Sequence, residues 1–194
     1  MRITRPKPKR SIPKYAKKVF DGILFDVYHW KQEMFDGSFK TYEVLKRKTD
    51  TVNVYPVTKE GKIILTRQVQ PGGGPFIGCL GGRMDKSEDP LFAAKRELLE
   101  ESGYQAKNWK LWFTVQPAEK VNWAVYTFIV KDLEKVKAPD PGSGEKIGLV
   151  EYDIDEFLKL TAKDEYRDKE VSLEVFRIYN NTKELEKLRK LFLK

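Results

Sequence analysis

The sequence predicts a single α/β fold with an N-terminal antiparallel strand region, and three observations carry that prediction. Segments rich in β-branched and aromatic residues, punctuated by turn dipeptides, occupy Val19 to Val69 and return between Trp109 and Tyr152. One sharply delimited helical stretch lies between them, from Asp89 to Gly103. Helical patterns then fill the chain beyond Tyr152. With 194 residues and a hydrophobic share of 40%, the chain can build a sizeable core, which excludes wholesale disorder.

In chain order, residues 1–18 come first, with eight basic side chains (Arg2, Arg5, Lys7, Lys9, Arg10, Lys14, Lys17, Lys18), three prolines and no acid. They predict a solvated, flexible arm; docking to an anionic partner is the lesser reading. Removing these eight from 37 basic residues leaves 29, matched by 29 acidic ones, so the net charge of +8 belongs to the arm. Residues 19–194 are formally neutral and are expected to form the folded domain, a balance that argues against nucleic acid as a partner. The arm lacks the apolar stretch of a secretion signal, and no apolar run reaches membrane-spanning length. The single cysteine, Cys79, cannot form an internal disulfide, so a cytoplasmic location is expected.

Ile23–Tyr28 reads as a strand, and Asp36-Gly37 as the hairpin turn before a strand over Phe39–Leu45. Val52–Val57 and Ile63–Val69 flank a turn at Lys59-Glu60-Gly61, and Pro71–Pro75 reads as a surface loop. Asp89-Pro90 is an N-cap followed by proline at the first helical position, and Gly103 is the stop. Strands are expected again over Trp109–Val115, Val121–Val130 and about Ile147–Tyr152. Helices are expected near Asp155–Leu160, over Lys169–Tyr179 and after Asn181, where Leu185, Leu188 and Phe192 mark a buried stripe.

The central helix carries the chemistry. At 100° per residue, Glu97, Glu100 and Glu101 share an arc of about 100°, beside an arc of Leu91, Ala94 and Leu98 that suits packing on a sheet. Like charges at i,i+4 cost about 0.2–0.5 kcal/mol per pair, and the last turn of a helix disfavours anions. A solvated acidic face is the plain reading, but Gly81-Gly82, expected as a loop just upstream, lets the backbone come close to whatever the carboxylates bind. Glu88 is placed to hold Arg96 if the chain bends back. Oxygen ligands without His or Cys suit Mg²⁺ or Mn²⁺, and such ions suit phosphate chemistry.

The spelling Gly82-x5-Glu88-x7-Arg96-Glu97-Leu98-x-Glu100-Glu101-x-Gly103-Tyr104 resembles the Nudix hydrolase signature GX5EX7REUXEEXGU at every fixed position; Tyr104 stands where an aliphatic residue is preferred. Arg67-Gln68 before the glycine-rich segment and an acidic loop around Glu145 are similar to the ADP-ribose pyrophosphatase branch. The resemblance implies a mixed β-sheet sandwiched between α-helices and Mg²⁺-dependent hydrolysis of a nucleoside diphosphate linked to another moiety. ADP-ribose would give AMP and ribose 5-phosphate.

By position, it implies Glu97 and Glu101 as main metal ligands, with Glu100 and the Gly81 carbonyl assisting. Arg96 would orient the carboxylates through Glu88. Glu145 is the candidate catalytic base, with Asp140 behind it and a plain loop acid as the equal alternative. Arg67 is a candidate phosphate contact, with an exposed strand arginine as its equal alternative, and Gly82 lets the backbone approach the substrate. Gly78, Leu80 and Gln70 replace a glutamate, a proline and an arginine common in that branch, which keeps nucleotide sugars such as GDP-mannose open as substrates. A non-catalytic Nudix module is the other alternative, though its usual mark, erosion of the carboxylates, is absent. The strands over 19–45 resemble those that pair subunits in the branch, so a homodimer is expected.

Overall fold

A computed structural model describes residues 3–140 and 146–193. The elements are β1 (Lys17–Asp21), β2 (Phe25–Glu33), β3 (Phe39–Arg47), β4 (Thr51–Pro56), β5 (Ile63–Val69), β6 (Phe76–Gly78) and β7 (Leu80–Arg83), then helix α1 (Pro90–Ser102). They continue as β8 (Tyr104–Val115), β9 (Val121–Asn122), β10 (Val125–Lys135), β11 (Lys146–Tyr152), α2 (Ile154–Leu160), α3 (Lys169–Ile178) and α4 (Thr182–Leu193).

Among the described residues the strands form three sheets, in the orders β1-β2-β3-β9, β7-β4-β10-β8 and β11-β5-β6. The second is mixed: β4 and β10 run parallel, while β8 and β7 flank them antiparallel. Alternation along β4 and β10 sends side chains to two cores. Val52, Val54, Phe128 and Val130 join Ala93, Ala94 and Leu98 of α1. Tyr55 and Ile129 join Phe157, Val171, Val175, Leu188 and Phe192 of α2, α3 and α4. The mixed sheet is thus sandwiched between helices.

Several expected boundaries move, among them the start of β8, at Tyr104 instead of Trp109, and two shifts change the framework of the molecule. Gly81-Gly82 lies in strand β7, not in a loop, because Asn53↔Gly81 and Val52↔Gly82 pair it with β4. The close fit there requires glycine: Gly81 has φ of 130°, and a Cβ on it would stand 2.2 Å from the Val52 carbonyl oxygen. The stretch Val121–Val130 is two strands, since Val121-Asn122 pairs with β3 and the chain then crosses to β4 at Val125.

Residues 3–16 contain no helix or strand, yet they touch the rest of the chain. Arg5 donates to Asp50 at 2.7 Å and to Asn122 at 2.9 Å; Arg10 pairs with Glu119 and covers the Tyr42 ring. These contacts tether a segment whose composition alone implies solvation, and β1 begins inside it, at Lys17.

Candidate active site

Local chemistry fixes α1 first. The Asp89 carboxylate accepts from the backbone N–H groups of Leu91 and Phe92, Pro90 opens the helix, and Gly103 closes it in the left-handed conformation, its N–H donating to the Leu99 carbonyl. Burial of Ala93, Ala94 and Leu98 against β4 and β10 then fixes the rotation of the helix. That rotation brings Glu97 and Glu101 onto the paired glycines of β7. The Gly81 N–H donates to a Glu101 carboxylate oxygen at 2.8 Å, and Glu101 is buried. A Cβ on Gly82 would lie 2.8 and 2.9 Å from the two carboxylate oxygens of Glu97, so any larger residue there would displace that carboxylate from its present position.

Arg96 ties the acids together. It donates to both Glu88 oxygens at 3.1 and 3.2 Å, to Glu97 at 2.9 Å, to Glu100 at 3.0 Å and to the Arg83 carbonyl at 3.2 Å. Glu88 also accepts from the Asp85 N–H at 2.8 Å, so its side chain bends the approach to α1 back onto the helix. The side chains of Glu88 and Glu97 are only 7% and 12% exposed, whereas that of Glu100 is 43% exposed. The bonds from Arg96 hold the Glu88 carboxyl below the usual glutamate range. For Glu97, burial wins over the attraction of Arg96 and pushes the carboxyl up.

A cavity of about 860 Å³ opens beside these groups and is lined by Gly81, Gly82, Arg96, Glu97 and Glu101. Its other walls bring Gln68 and Gln70, both noted in the sequence, together with Arg47, Phe76, Arg167, Asp168 and Glu170, which sequence reasoning did not single out for the site. Arg47 and Trp123 stand at one part, Phe76, Gln70 and Arg167 at another, with Gln68, Asp168 and Glu170 between elements. Arg167 lies 4.3 Å from the Phe76 ring centroid and donates to Gln70. Asp168 accepts from the Cys79 N–H at 2.7 Å and from the Tyr55 hydroxyl at 3.1 Å, and burial pushes its carboxyl up; burial does the same to Glu170. Cys79 itself is buried, as a small packing residue would be.

Of the expected site residues, Glu88, Arg96, Glu97, Glu100, Glu101, Gly81 and Gly82 are brought together. Arg67 is exposed on β5 and is not among the residues lining the cavity, although its neighbour Gln68 is. Glu145 lies outside the described residues. Asp140, described just before it, donates its backbone N–H to the Glu100 carbonyl at 2.8 Å, which sets Asp140 itself beside the last turn of α1.

Among the described residues no three His, Cys, Asp or Glu side chains converge on one metal-coordinating point. Arg96 engages Glu97 and Glu100, and the Gly81 N–H engages Glu101. The donor set nevertheless fits Mg²⁺. That ion keeps several waters and is held by one or two carboxylates together with substrate phosphates. A cation beside Glu97 would also offset a negative charge that burial disfavours.

Residues 47–174 match the NUDIX domain. The chain belongs to the Nudix family. It is a Nudix hydrolase similar to the ADP-ribose pyrophosphatase of Bacillus subtilis (strain 168), with 28% identity over 155 residues, 78% of this chain and 83% of that protein. It is also similar to the methanol dehydrogenase activator of Bacillus methanolicus, with 27% identity over 150 residues, 74% of this chain and 79% of that protein. A crystal structure of an ADP compounds hydrolase shares the fold of this Nudix chain, with a TM-score of 0.71 and 19% identity, over 92% of this chain and 96% of that one.

Proposed function

We propose that the chain hydrolyses the diphosphate bond of ADP-ribose, with Mg²⁺ as cofactor and AMP and ribose 5-phosphate as products. The observation that carries this reading is the arrangement of Glu97 and Glu101 over Gly81-Gly82, locked by Arg96 and opening into a cavity. The similarity to ADP-ribose pyrophosphatase supports the choice of substrate.

Glu97 and Glu101 would hold the metal, with Glu100 released from Arg96 to assist and the Gly81 carbonyl beside them; Mn²⁺ could take the same place. Bound there, the ion offsets charge on the phosphates and polarises the bond to be cleaved. The chain's own part is positioning. Arg96 and Glu88 hold α1 and the segment before it in one geometry, so the carboxylates meet substrate pre-oriented. Glu145 is the proposed base, accepting the proton of the attacking water at a carboxylate oxygen. A nucleotide sugar such as GDP-mannose is the second reading, favoured by Gln70, Gly78 and Leu80, which depart from the ADP-ribose pattern.

Strand β1 and the turn that follows it leave Val19, Phe20 and Ile23 exposed, which supports pairing of two copies in a homodimer; light scattering of the purified chain would read this directly. The lone free Cys79 accords with a cytoplasmic location. No helix among the described residues is long and apolar enough to cross a membrane.

The functional test is release of nucleoside monophosphate from ADP-ribose, GDP-mannose and UDP-sugars with Mg²⁺. Cleavage of ADP-ribose in clear preference to the others is expected. Equal neglect of all of them would reject the reading.

A further inference from the structure

Three consecutive residues at the junction of β9 and β10 are fastened to the N-terminal segment, and the middle one, Trp123, lines the cavity. Arg5 donates to the Asn122 side-chain oxygen at 2.9 Å. The Trp123 backbone N–H donates to the Gln116 side-chain oxygen at 3.0 Å, and the amide of that buried glutamine donates to the Pro6 carbonyl at 3.1 Å. The Ala124 N–H donates to Asp50 at 2.9 Å, and Asp50 accepts from Arg5 through both its oxygens, at 2.7 and 3.0 Å. Ile3 packs against the core shared by α1 and the mixed sheet, which anchors the segment ahead of these bonds.

Asp50 is the centre of this arrangement. Its side chain is 13% exposed, and its backbone carbonyl accepts from the Met84 N–H at 3.0 Å, just past β7. Its charge also reaches Arg47: burial, and then the like charge of Arg83, disfavour the Arg47 cation, and Asp50 offsets part of this. Among the described residues Asp50 nevertheless pairs with Arg5 and not with Arg47. Arg47 lies 4.9 Å from the Trp123 ring centroid and donates to the Thr51 hydroxyl oxygen at 3.1 Å, the same oxygen that accepts from the Trp123 indole N–H at 3.0 Å. The fork of one guanidinium satisfies both oxygens of a carboxylate, so Arg5 leaves Asp50 little with which to take a second. Without Arg5, a mostly buried carboxylate would keep a single N–H from Ala124, and Arg47 is a cation already within its field. Capture of Arg47 by Asp50 would take the guanidinium off the Trp123 ring and away from Thr51.

We infer that Arg5 is a positioning residue of the cavity: by occupying Asp50 it keeps Arg47 stacked on Trp123, and together with the Pro6 carbonyl it holds Trp123 in the wall. Its part in turnover rests on the reading of the cavity as a diphosphate-hydrolase site. Arg5 is not among the residues lining the cavity and bonds none of the α1 carboxylates, so it acts through the wall on substrate affinity and not on bond cleavage. A segment whose basic composition implies a solvated arm is thereby a strap that completes one side of the site.

Intrinsic fluorescence of the metal-free full chain reads the wall without turnover. The Trp123 signal is the difference in emission between a chain and its Trp123→Phe counterpart, measured for wild type, Arg5→Gln and Arg5→Lys. The Arg5 side chain is 38% exposed, so Arg5→Gln leaves the fold in place, which melting checks. Arg5→Gln should move the Trp123 signal to longer wavelength and open it to acrylamide quenching. Arg5→Lys, which keeps the charge on Asp50 without the fork, should recover part of the wild-type signal, and added salt should move the wild type towards Arg5→Gln. With Mg²⁺ and ADP-ribose, KM should rise about three- to tenfold in Arg5→Gln with kcat within about threefold, and Arg5→Lys should fall between. A role in stability alone would lower Tm and leave both KM and the Trp123 signal where they are. A Trp123 signal in Arg5→Gln equal to that of the wild type overturns the strap, whatever the turnover. A moved signal with KM unchanged overturns the positioning role and leaves the functional reading standing. A moved signal in a chain that hydrolyses no diphosphate supports the strap and rejects the functional reading.

Discussion

Replacing Arg96 by methionine removes the cation that three glutamates share while keeping much of the side chain's volume. Glu88 and Glu97, 7% and 12% exposed, would each lose their only ion-pair partner among the described residues; Glu100, 43% exposed, would lose little. Breaking a fully buried pair costs about 3–5 kcal/mol, and Arg96 is itself 25% exposed, so water can reach part of the site. A loss of about 2–4 kcal/mol follows, which for a domain of this size lowers Tm by about 4–15 °C.

The loss should also depend on pH. Glu88 titrates below its ordinary value when folded, so its contribution is present above the usual value of 4.5 and is lost as pH falls through its lower native value. The Tm gap between wild type and Arg96→Met should therefore be widest near neutrality and close towards acid. Scanning calorimetry of metal-free protein at neutral and acid pH measures it. A Tm within about 1 °C of wild type at neutral pH, or a gap that widens on acidification, would refute the clamp.

Three further outcomes follow from the same geometry. Gly82→Ala places a methyl group 2.8 Å from the Glu97 carboxylate, so hydrolysis should fall by at least about tenfold with a small change in Tm, measured by steady-state turnover and melting together. Gly81→Ala meets main chain, the Val52 carbonyl, at 2.2 Å and carries a φ of 130°, so unfolding in urea should show about 2–5 kcal/mol of lost stability. Glu97 is the opposite case from Glu88: its carboxyl is raised by burial, so its protonated form favours folding below the usual value of 4.5, and that benefit is lost as pH rises through its higher native value. Glu97→Gln should consequently raise the Tm of metal-free protein at neutral pH, with the gain vanishing at acid pH; a lower Tm at neutral pH would contradict this.

The parts of the structure that the sequence made legible are those specified locally. The start of α1 follows from Asp89-Pro90 and its end from Gly103, because caps act over a few residues. Glu88 and Arg96 could be paired in advance because their separation suits a chain turning back onto a helix. Strand β7 was not legible: glycine is poor in strands, and Leu80–Arg83 becomes one only through pairing with β4. Strand β1 carries no alternation, all five of its residues being exposed, so the strand signal from Val19 onward gives neither its start at Lys17 nor its end at Asp21. The break between β9 and β10 reflects a change of partner strand, which no local pattern encodes. The cavity's outer wall gathers Arg47, Phe76, Arg83, Trp123 and Arg167 from separated elements, and their convergence exists only once the three sheets are assembled.

The central claim is that the α1 carboxylates, set over the glycine pair of β7, cleave a diphosphate. Phosphorus NMR of ADP-ribose incubated with the protein and Mg²⁺ tests it most directly. The account predicts that the two diphosphate resonances give way to two monophosphate resonances with wild-type protein and persist with Glu101→Gln, whose melting temperature stays close to that of the wild type. Diphosphate resonances that persist with the wild type, or that vanish equally fast with the variant, would contradict it.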